Sequence, residues 1–270
     1  MKKLVHALVL TGLVGVPTVA MAAEESPHSL SANVTLTSDY VFRGITQTGG
    51  DPAIQGGLDY SHASGFYLGT WASNVSWLKD FQAYDKGSME IDVYAGFRGD
   101  IGKTGLTFDV GAIQYMYPGD NVTGGFNDAD TTEAYVALGW KWFTAKYSYY
   151  LSDEVFGIGD LSGGAGDADG SDYLGISASV PVGETGLTLG ASWGTFSFKN
   201  NSDYDYDDWK VSAAFDMGKA AKLFDGVTVG VAYTDTNARD VPGPNGGVWV
   251  DGNNQYLGDS TTTVYITKAF

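Results

Sequence analysis

The sequence predicts an all-β fold: a transmembrane antiparallel up-and-down β-barrel of about twelve strands. Three observations carry that prediction. Twelve stretches alternate apolar and polar residues, the connectors between them alternate long and short, and the chain ends on an alternating stretch closed by Phe270. The stretch from Met89 to Arg98 shows the pattern best. Met89, Ile91, Val93, Ala95 and Phe97 fall on one side, and Glu90, Asp92, Tyr94 and Arg98 on the other. Side chains of a strand alternate faces, so each such stretch has one greasy and one wet face, as a strand between lipid and a polar lumen requires.

The first residues read as an export signal. Lys2 and Lys3 precede an apolar run from Leu4 to Ala20, and Ala20-Met21-Ala22 satisfies the small-x-small rule, which places signal cleavage after Ala22. Residues 1–22 are then the signal peptide, 23–30 a periplasmic tail and 31–270 the barrel. No later stretch reaches the roughly 20 apolar residues of a membrane-spanning helix.

The expected strands are 31–42, 53–60, 66–77, 88–98, 106–117, 132–141, 142–152, 173–182, 187–198, 206–217, 227–235 and 261–270. Odd connectors are long: 43–52, 78–87, 118–131, 153–172, 199–205 and 236–260. Even ones are mostly tight: 61–65, 99–105, the immediate turn at Lys141 and Trp142, 183–186, and 218–226 as the longest. Barrels of the bacterial outer membrane pair short periplasmic turns with long external loops and have an even strand number. A soluble β-sandwich with irregular loops is the competing reading.

Composition agrees with the barrel. The chain has 38 Gly, 14% aromatic residues and no Cys, which suits tight turns, interfacial girdles and a fold that stands without disulfides. The formal charge is −17, and losing Lys2 and Lys3 with the signal takes it to −19. Such a surface repels nucleic acid. Charge also follows topology. The loop 153–172 carries Asp153, Glu154, Asp160, Asp167, Asp169 and Asp172 with no Lys or Arg, and 118–131 adds Asp120, Asp128 and Asp130, whereas Lys103, Lys141, Lys219 and Lys222 lie on the short-turn side.

At the other end, Phe270 on an alternating strand resembles the signal read by the barrel-assembly machinery of Gram-negative bacteria. Counting back in twos gives Lys268, Ile266 and Val264; Lys268 departs from the apolar pattern and would snorkel to headgroups. The segments Ser31-Ala-Asn-Val-Thr-Leu-Thr-Ser-Asp-Tyr-Val-Phe-Arg-Gly-Ile-Thr-Gln47, Asp51-Pro-Ala-Ile-Gln-Gly-Gly-Leu-Asp-Tyr60, Gly65-Phe-Tyr-Leu-Gly-Thr-Trp-Ala-Ser-Asn-Val75 and Glu90-Ile-Asp-Val-Tyr-Ala-Gly-Phe97 resemble the TorF-family porins of proteobacteria. The resemblance covers the N-terminal third and implies an outer-membrane barrel with pore activity. It supplies no substrate and no functional residues.

With apolar faces toward lipid, the polar faces define a lumen. A charge on the lipid side costs roughly 2–4 kcal/mol at the midplane, so Asp39, Arg43, Gln55, Asp59, Glu90, Asp92, Arg98, Asp109, Glu133, Lys141, Lys146, Lys210 and Asp216 are expected inward. They would line a water-filled channel for small hydrophilic solutes or ions, with a mild cation preference from the acidic loops, or pair across a narrow lumen as a structural plug. The loop 236–260, with Pro242, Pro244 and Trp249, is the expected constriction. Tyr40, Phe42, Trp71, Trp77, Trp140, Trp142 and Phe143 are expected in interfacial girdles.

Other chemistries fare worse. Asp167-Ala-Asp-Gly-Ser-Asp172 and Asp203-Tyr-Asp-Tyr-Asp-Asp208 lack EF-hand spacing and read as solvated acidic loops. Of three His, His6 leaves with the signal, His28 lies in the tail and His62 in a tight turn; no Gly-x-Ser-x-Gly elbow accompanies them. The glycine pairs form no phosphate loop. The expectation is a non-enzymatic barrel without cofactor or bound metal, whose partners are outer-membrane lipid, the assembly machinery and small solutes, with oligomeric state left open.

Overall fold

A computed structural model describes residues 26–80, 84–121, 129–159, 166–241 and 248–270. The expected signal peptide with its Ala22 cleavage site lies outside the described residues, as do Asp128, Asp160, Pro242 and Pro244.

Twelve antiparallel strands close into one barrel. They are β1 His28–Thr37, β2 Ala53–His62, β3 Phe66–Asn74, β4 Met89–Asp100, β5 Leu106–Met116, β6 Thr131–Trp140, β7 Phe143–Tyr150, β8 Asp172–Pro181, β9 Leu187–Ser197, β10 Tyr206–Asp216, β11 Val227–Thr236 and β12 Thr261–Ala269. Each pairs with its sequence neighbours, and β12 returns to β1 with Asn33 opposite Ala269 and Thr37 opposite Tyr265. That seam is short: it runs from residue 33 to 37 on β1, whereas β1 meets β2 over the whole of His28–Thr37.

The connectors sort by end as expected. Residues 63–65, 101–105, 141–142, 182–186 and 217–226 close one end, and 38–52, 75–88, 117–130, 151–171, 198–205 and 237–260 stand at the other. At the tightest turn Lys141 takes φ 56° with Trp140 opposite Phe143. A positive φ at the first central residue matches the twist of the flanking strands.

The two-faced pattern is physical. Leu36, Ile54, Leu58, Val136, Leu138, Ile176, Leu189, Val211 and Val264 point outward and are exposed, while Thr35, Gln55, Glu90, Asp92, Asp109, Glu133 and Ser148 are buried inside. Trp140, Trp142, Phe143 and Phe270 are exposed near the short-turn end, an apolar-to-polar border where amphipathic rings are favoured. Lys268 reaches from this rim to the Asp225 carbonyl and stands over the Phe270 ring.

Several boundaries differ from expectation. β1 starts at His28, so the free tail is shorter: the His28 ring bonds Tyr60 Oη (2.6 Å) and lies 5.2 Å from the His62 ring at the end of β2. β1 also stops at Thr37. There Thr37 Oγ1 donates to the Asp39 carbonyl (2.8 Å), the chain leaves the wall, and Val41–Phe42 pairs with Ile45–Thr46 as a separate small hairpin. Trp77–Asp80 is a short helical turn rather than the end of β3.

Candidate functional site in the barrel lumen

The lumen is organised around this hairpin. Its two central residues, Arg43 (φ 47°) and Gly44 (φ 83°), both take positive φ, as a type I′ turn demands. Gly44 is required there on a second count: a Cβ would collide with Thr236 and Asp208 side chains. The turn sends Arg43 across the lumen to the opposite wall.

Arg43 Nη2 donates to Glu133 Oε2 at 2.7 Å and to Ser148 Oγ at 3.3 Å, and Nη1 donates to the Tyr150 hydroxyl. The guanidinium lies 4.0 Å from the Tyr173 ring centre and within 6 Å of Phe42, Phe196 and Tyr150, a cation–π enclosure. Glu133 is 0% exposed and fully satisfied. Besides Arg43 it accepts from Lys146 Nζ (2.8 Å), Ser148 Oγ (2.7 Å) and Tyr115 Oη (3.2 Å). A buried carboxylate with two cations and two hydroxyls survives desolvation because every lone pair direction is used. At the hairpin base Asp39 Oδ1 accepts from Thr46 Oγ1 (2.6 Å) and Thr48 Oγ1 (2.9 Å). Burial raises the Asp39 carboxyl above the ordinary aspartate range, and those two hydroxyls oppose the rise.

Toward the short-turn end, tyrosines take the carboxylates. Tyr67 Oη donates to Asp109 (2.6 Å) and meets the Tyr135 hydroxyl, and Tyr94 Oη donates to Asp59 (2.7 Å). Tyr173 Oη donates to Asp208 (2.8 Å) in the same way at the long-loop end, beside Arg43. Arg98 stands over the Tyr67 ring and Lys146 over that of Tyr135. The facing wall of β8 to β10 is lined instead by Gly175, Ser177, Ser192, Gly194 and Ser212. The lumen is therefore uneven: charge and phenol run along β2 to β7, whereas on β8 to β10 Tyr173, Asp208 and Lys210 give way to small residues. Phe42 and Ile45 of the hairpin, with Trp77, Phe156 and Trp249, line a small, mainly apolar pocket.

Of the residues expected inward, Gln55, Asp59, Glu90, Asp92, Arg98, Asp109, Glu133, Lys146 and Lys210 lie on strand faces turned to the lumen. Arg43 and Asp39 reach it from the hairpin and its base. Asp216 ends β10 on the same parity and accepts from Gly218 N in the turn (2.9 Å). Lys141 does not belong with them: the two-residue turn projects it outside, over the Trp140 ring. Tyr40, Phe42, Trp71 and Trp77 are inside rather than in a girdle, with Tyr40 and Trp71 rings 5.4 Å apart. Trp77 Nε1, unpartnered among the described residues, shows it is packing bulk.

The expected constriction, 236–260, is described at 236–241 and 248–260, and there it packs against the neighbouring loops. Trp249 donates to the Tyr204 carbonyl (3.1 Å) and packs on Phe198 and Tyr206, while the first long loop provides the crossing. In the acidic loops, Asp169 faces Lys199 at 3.8 Å and Asp203 pairs with Arg239. Among the described residues no group of three or more His, Cys, Asp or Glu is arranged to hold a metal ion.

A family model described as "Bacterial protein of unknown function (Gcw_chp)" matches residues 21–270. No curated protein matches the sequence. Among solved structures, the KdgM porin is similar with TM-score 0.51 and 8% identity over 89% of this chain and 99% of that one. The NanC porin is similar with TM-score 0.51 and 12% identity over 90% and 99%. A structure titled "KdgM porin in complex with disordered oligogalacturonate" has TM-score 0.50 and 8% identity over 89% and 98%. At such identities the likeness is one of fold.

Proposed function

We propose that this chain, which belongs to the Gcw_chp family of bacterial proteins, is an outer-membrane channel for small hydrophilic solutes or ions, narrowed by its own first external loop. The observation that carries the reading is the hairpin Val41–Thr46, folded inside a closed barrel and tied by Arg43 to Glu133. An outward apolar belt with a polar interior gives a lipid-facing wall, and an inward loop supplies the narrow point at which a pore selects. The short turns then face the periplasm. The N-terminal resemblance to TorF-family porins supports the same reading, while the family shown is Gcw_chp.

Selectivity follows charge. The long loops are acidic, and in the lumen Asp59, Glu90, Asp92, Asp109, Glu133 and Asp208 outnumber Arg43, Arg98, Lys146 and Lys210. That balance favours cations and neutral solutes. It argues against a polyanion such as the oligogalacturonate named for one similar structure. A second reading, a closed-lumen structural barrel, is favoured by the complete burial of Glu133, Ser148 and Tyr150 beneath the hairpin.

Planar-bilayer recording separates the two. The channel reading expects discrete conductance steps from pure folded protein, larger steps after Arg43→Ala, and weaker cation selectivity after Glu90→Lys. Absence of steps both in the parent and in a variant with 41–46 shortened to a Gly-Ser link would refute it.

A further inference from the structure

We propose that Glu90 and Asp92 form a binding site for a hard divalent cation inside the lumen, completed by the side-chain carbonyl of Gln55. The inference rests on the channel reading only for the route by which the ion enters.

The argument begins with a missing partner. Asp92 is 0% exposed and, among the described residues, neither carboxylate oxygen has a hydrogen-bond donor; Gln55, 2% exposed, has neither its Oε1 nor its Nε2 paired. Burying a carboxylate without a compensating charge is among the largest penalties a fold can carry. The lumen cations are already committed. Arg43 and Lys146 both bind Glu133, Arg98 lies over Tyr67 and Lys210 stands by Asp208 on β10, and none of these four pairs with Glu90 or Asp92.

Strand register brings the ligands together. Glu90 and Asp92 are two apart on β4 and so share a face. Glu90 stands opposite Ser73, which stands opposite Gln55, so only a serine separates the amide from the carboxylate along that row. Asp92 is flanked directly by Trp71 on β3 and Tyr115 on β5, where cross-strand side chains are in contact range. Tyr40 Oη holds Glu90 Oε1 at 3.0 Å and Tyr117 also bonds this carboxylate; a carboxylate has about four lone-pair sites, so two hydroxyl bonds leave room for a ligand. Two adjacent negative charges without counter-ion, all-oxygen donors and an amide carbonyl match the preference of calcium or magnesium, and one divalent ion neutralises the pair.

The test uses Tb³⁺ as a calcium mimic on the folded barrel in detergent micelles. Trp71 beside Asp92 sensitises emission from an ion bound there. Parent protein should give saturable, Ca²⁺-displaceable emission, reduced at least ~10-fold in Asp92→Asn and in Glu90→Gln. Trp71→Phe should lose emission while keeping Ca²⁺-dependent stabilisation. Calcium at ~100 times its Kd should lower the parent's unfolding constant roughly 100-fold and leave that of Asp92→Asn unchanged. Emission that persists in Asp92→Asn and Glu90→Gln assigns the ion to the external acidic loops and overturns the site. A parent indifferent to Ca²⁺ means that Asp92 is neutralised by a proton alone and overturns it equally. If Asp92→Asn does not fold, Glu90→Gln and Trp71→Phe decide. Binding is read without any current, so a barrel that binds but does not conduct would sink the channel reading and spare this one.

Discussion

Replacing Glu133 by Gln tests the centre of the lumen most directly. The carboxylate accepts from Arg43, Lys146, Ser148 and Tyr115. Gln keeps the shape but presents an NH₂ toward one cation, so one of Arg43 or Lys146 loses its acceptor and both lose the charge. Breaking a buried pair costs about 3–5 kcal/mol. The side chains of Arg43 and Lys146 keep 8% and 18% exposure, which places the expected loss at the low end, about 3 kcal/mol or roughly 150-fold in the unfolding equilibrium. Urea unfolding of the barrel folded in lipid vesicles, followed by tryptophan fluorescence, measures it. A cycle with Arg43→Met and the double variant isolates the pair, with about 1.5–3 kcal/mol of coupling expected. A single-variant loss within ~0.5 kcal/mol together with zero coupling would refute the view that Arg43 is latched by Glu133.

Four other substitutions probe the hairpin, the two faces of the wall and the hairpin base. Gly44→Ala adds a Cβ at φ 83° against Thr236 and Asp208; it should cost at least ~1 kcal/mol and, by dislodging the hairpin, raise conductance. Val136→Arg, outward at mid-strand, should cost roughly 2–4 kcal/mol in lipid, whereas Ser192→Arg, inward on the small-residue wall, should fold normally and shift selectivity toward anions. Asp39 gives a pH signature. Its folded pKa is raised, so its favourable contribution is complete below the unfolded value near ~3.9 and falls as pH rises through the folded value. Asp39→Asn should therefore gain stability relative to the parent on going from acid to neutral pH, and a pH-independent difference between the two would count against it.

The barrel wall was legible because one rule repeats: every strand must separate two environments, so period-two patterning and connector length carry the topology. Where a residue type suits two places, the pattern is silent. Trp71 and Tyr40 fit a girdle by chemistry, yet lie inside because the first loop brings Tyr40 back over β3. Val41-Phe42 continues the alternation of β1 and so reads as wall. The break comes from the Thr37–Asp39 turn and the positive-φ pair Arg43-Gly44, a local hairpin signal overshadowed by the longer 236–260 loop. The lumen charges could be assigned to a face from sequence. Their partners could not, since Arg43 and Glu133 lie ninety positions apart and meet only through closure.

The seam between β1 and β12 has a consequence for how the molecule is made. It joins residues at opposite ends of the chain, Thr35 Oγ1 bonding Thr267 Oγ1 at 2.7 Å, over half the length that β1 shares with β2. Contacts of such sequence separation form late, so the nascent sheet is an open scroll with two raw edges until its final strand arrives. The hairpin is anchored beside one of those edges, on the loop between β1 and β2, and its tip must be inside when the scroll closes. Lumen packing and closure are then ordered in time: the first loop enters while the scroll is open, and the last strand seals the polar interior from the membrane behind it.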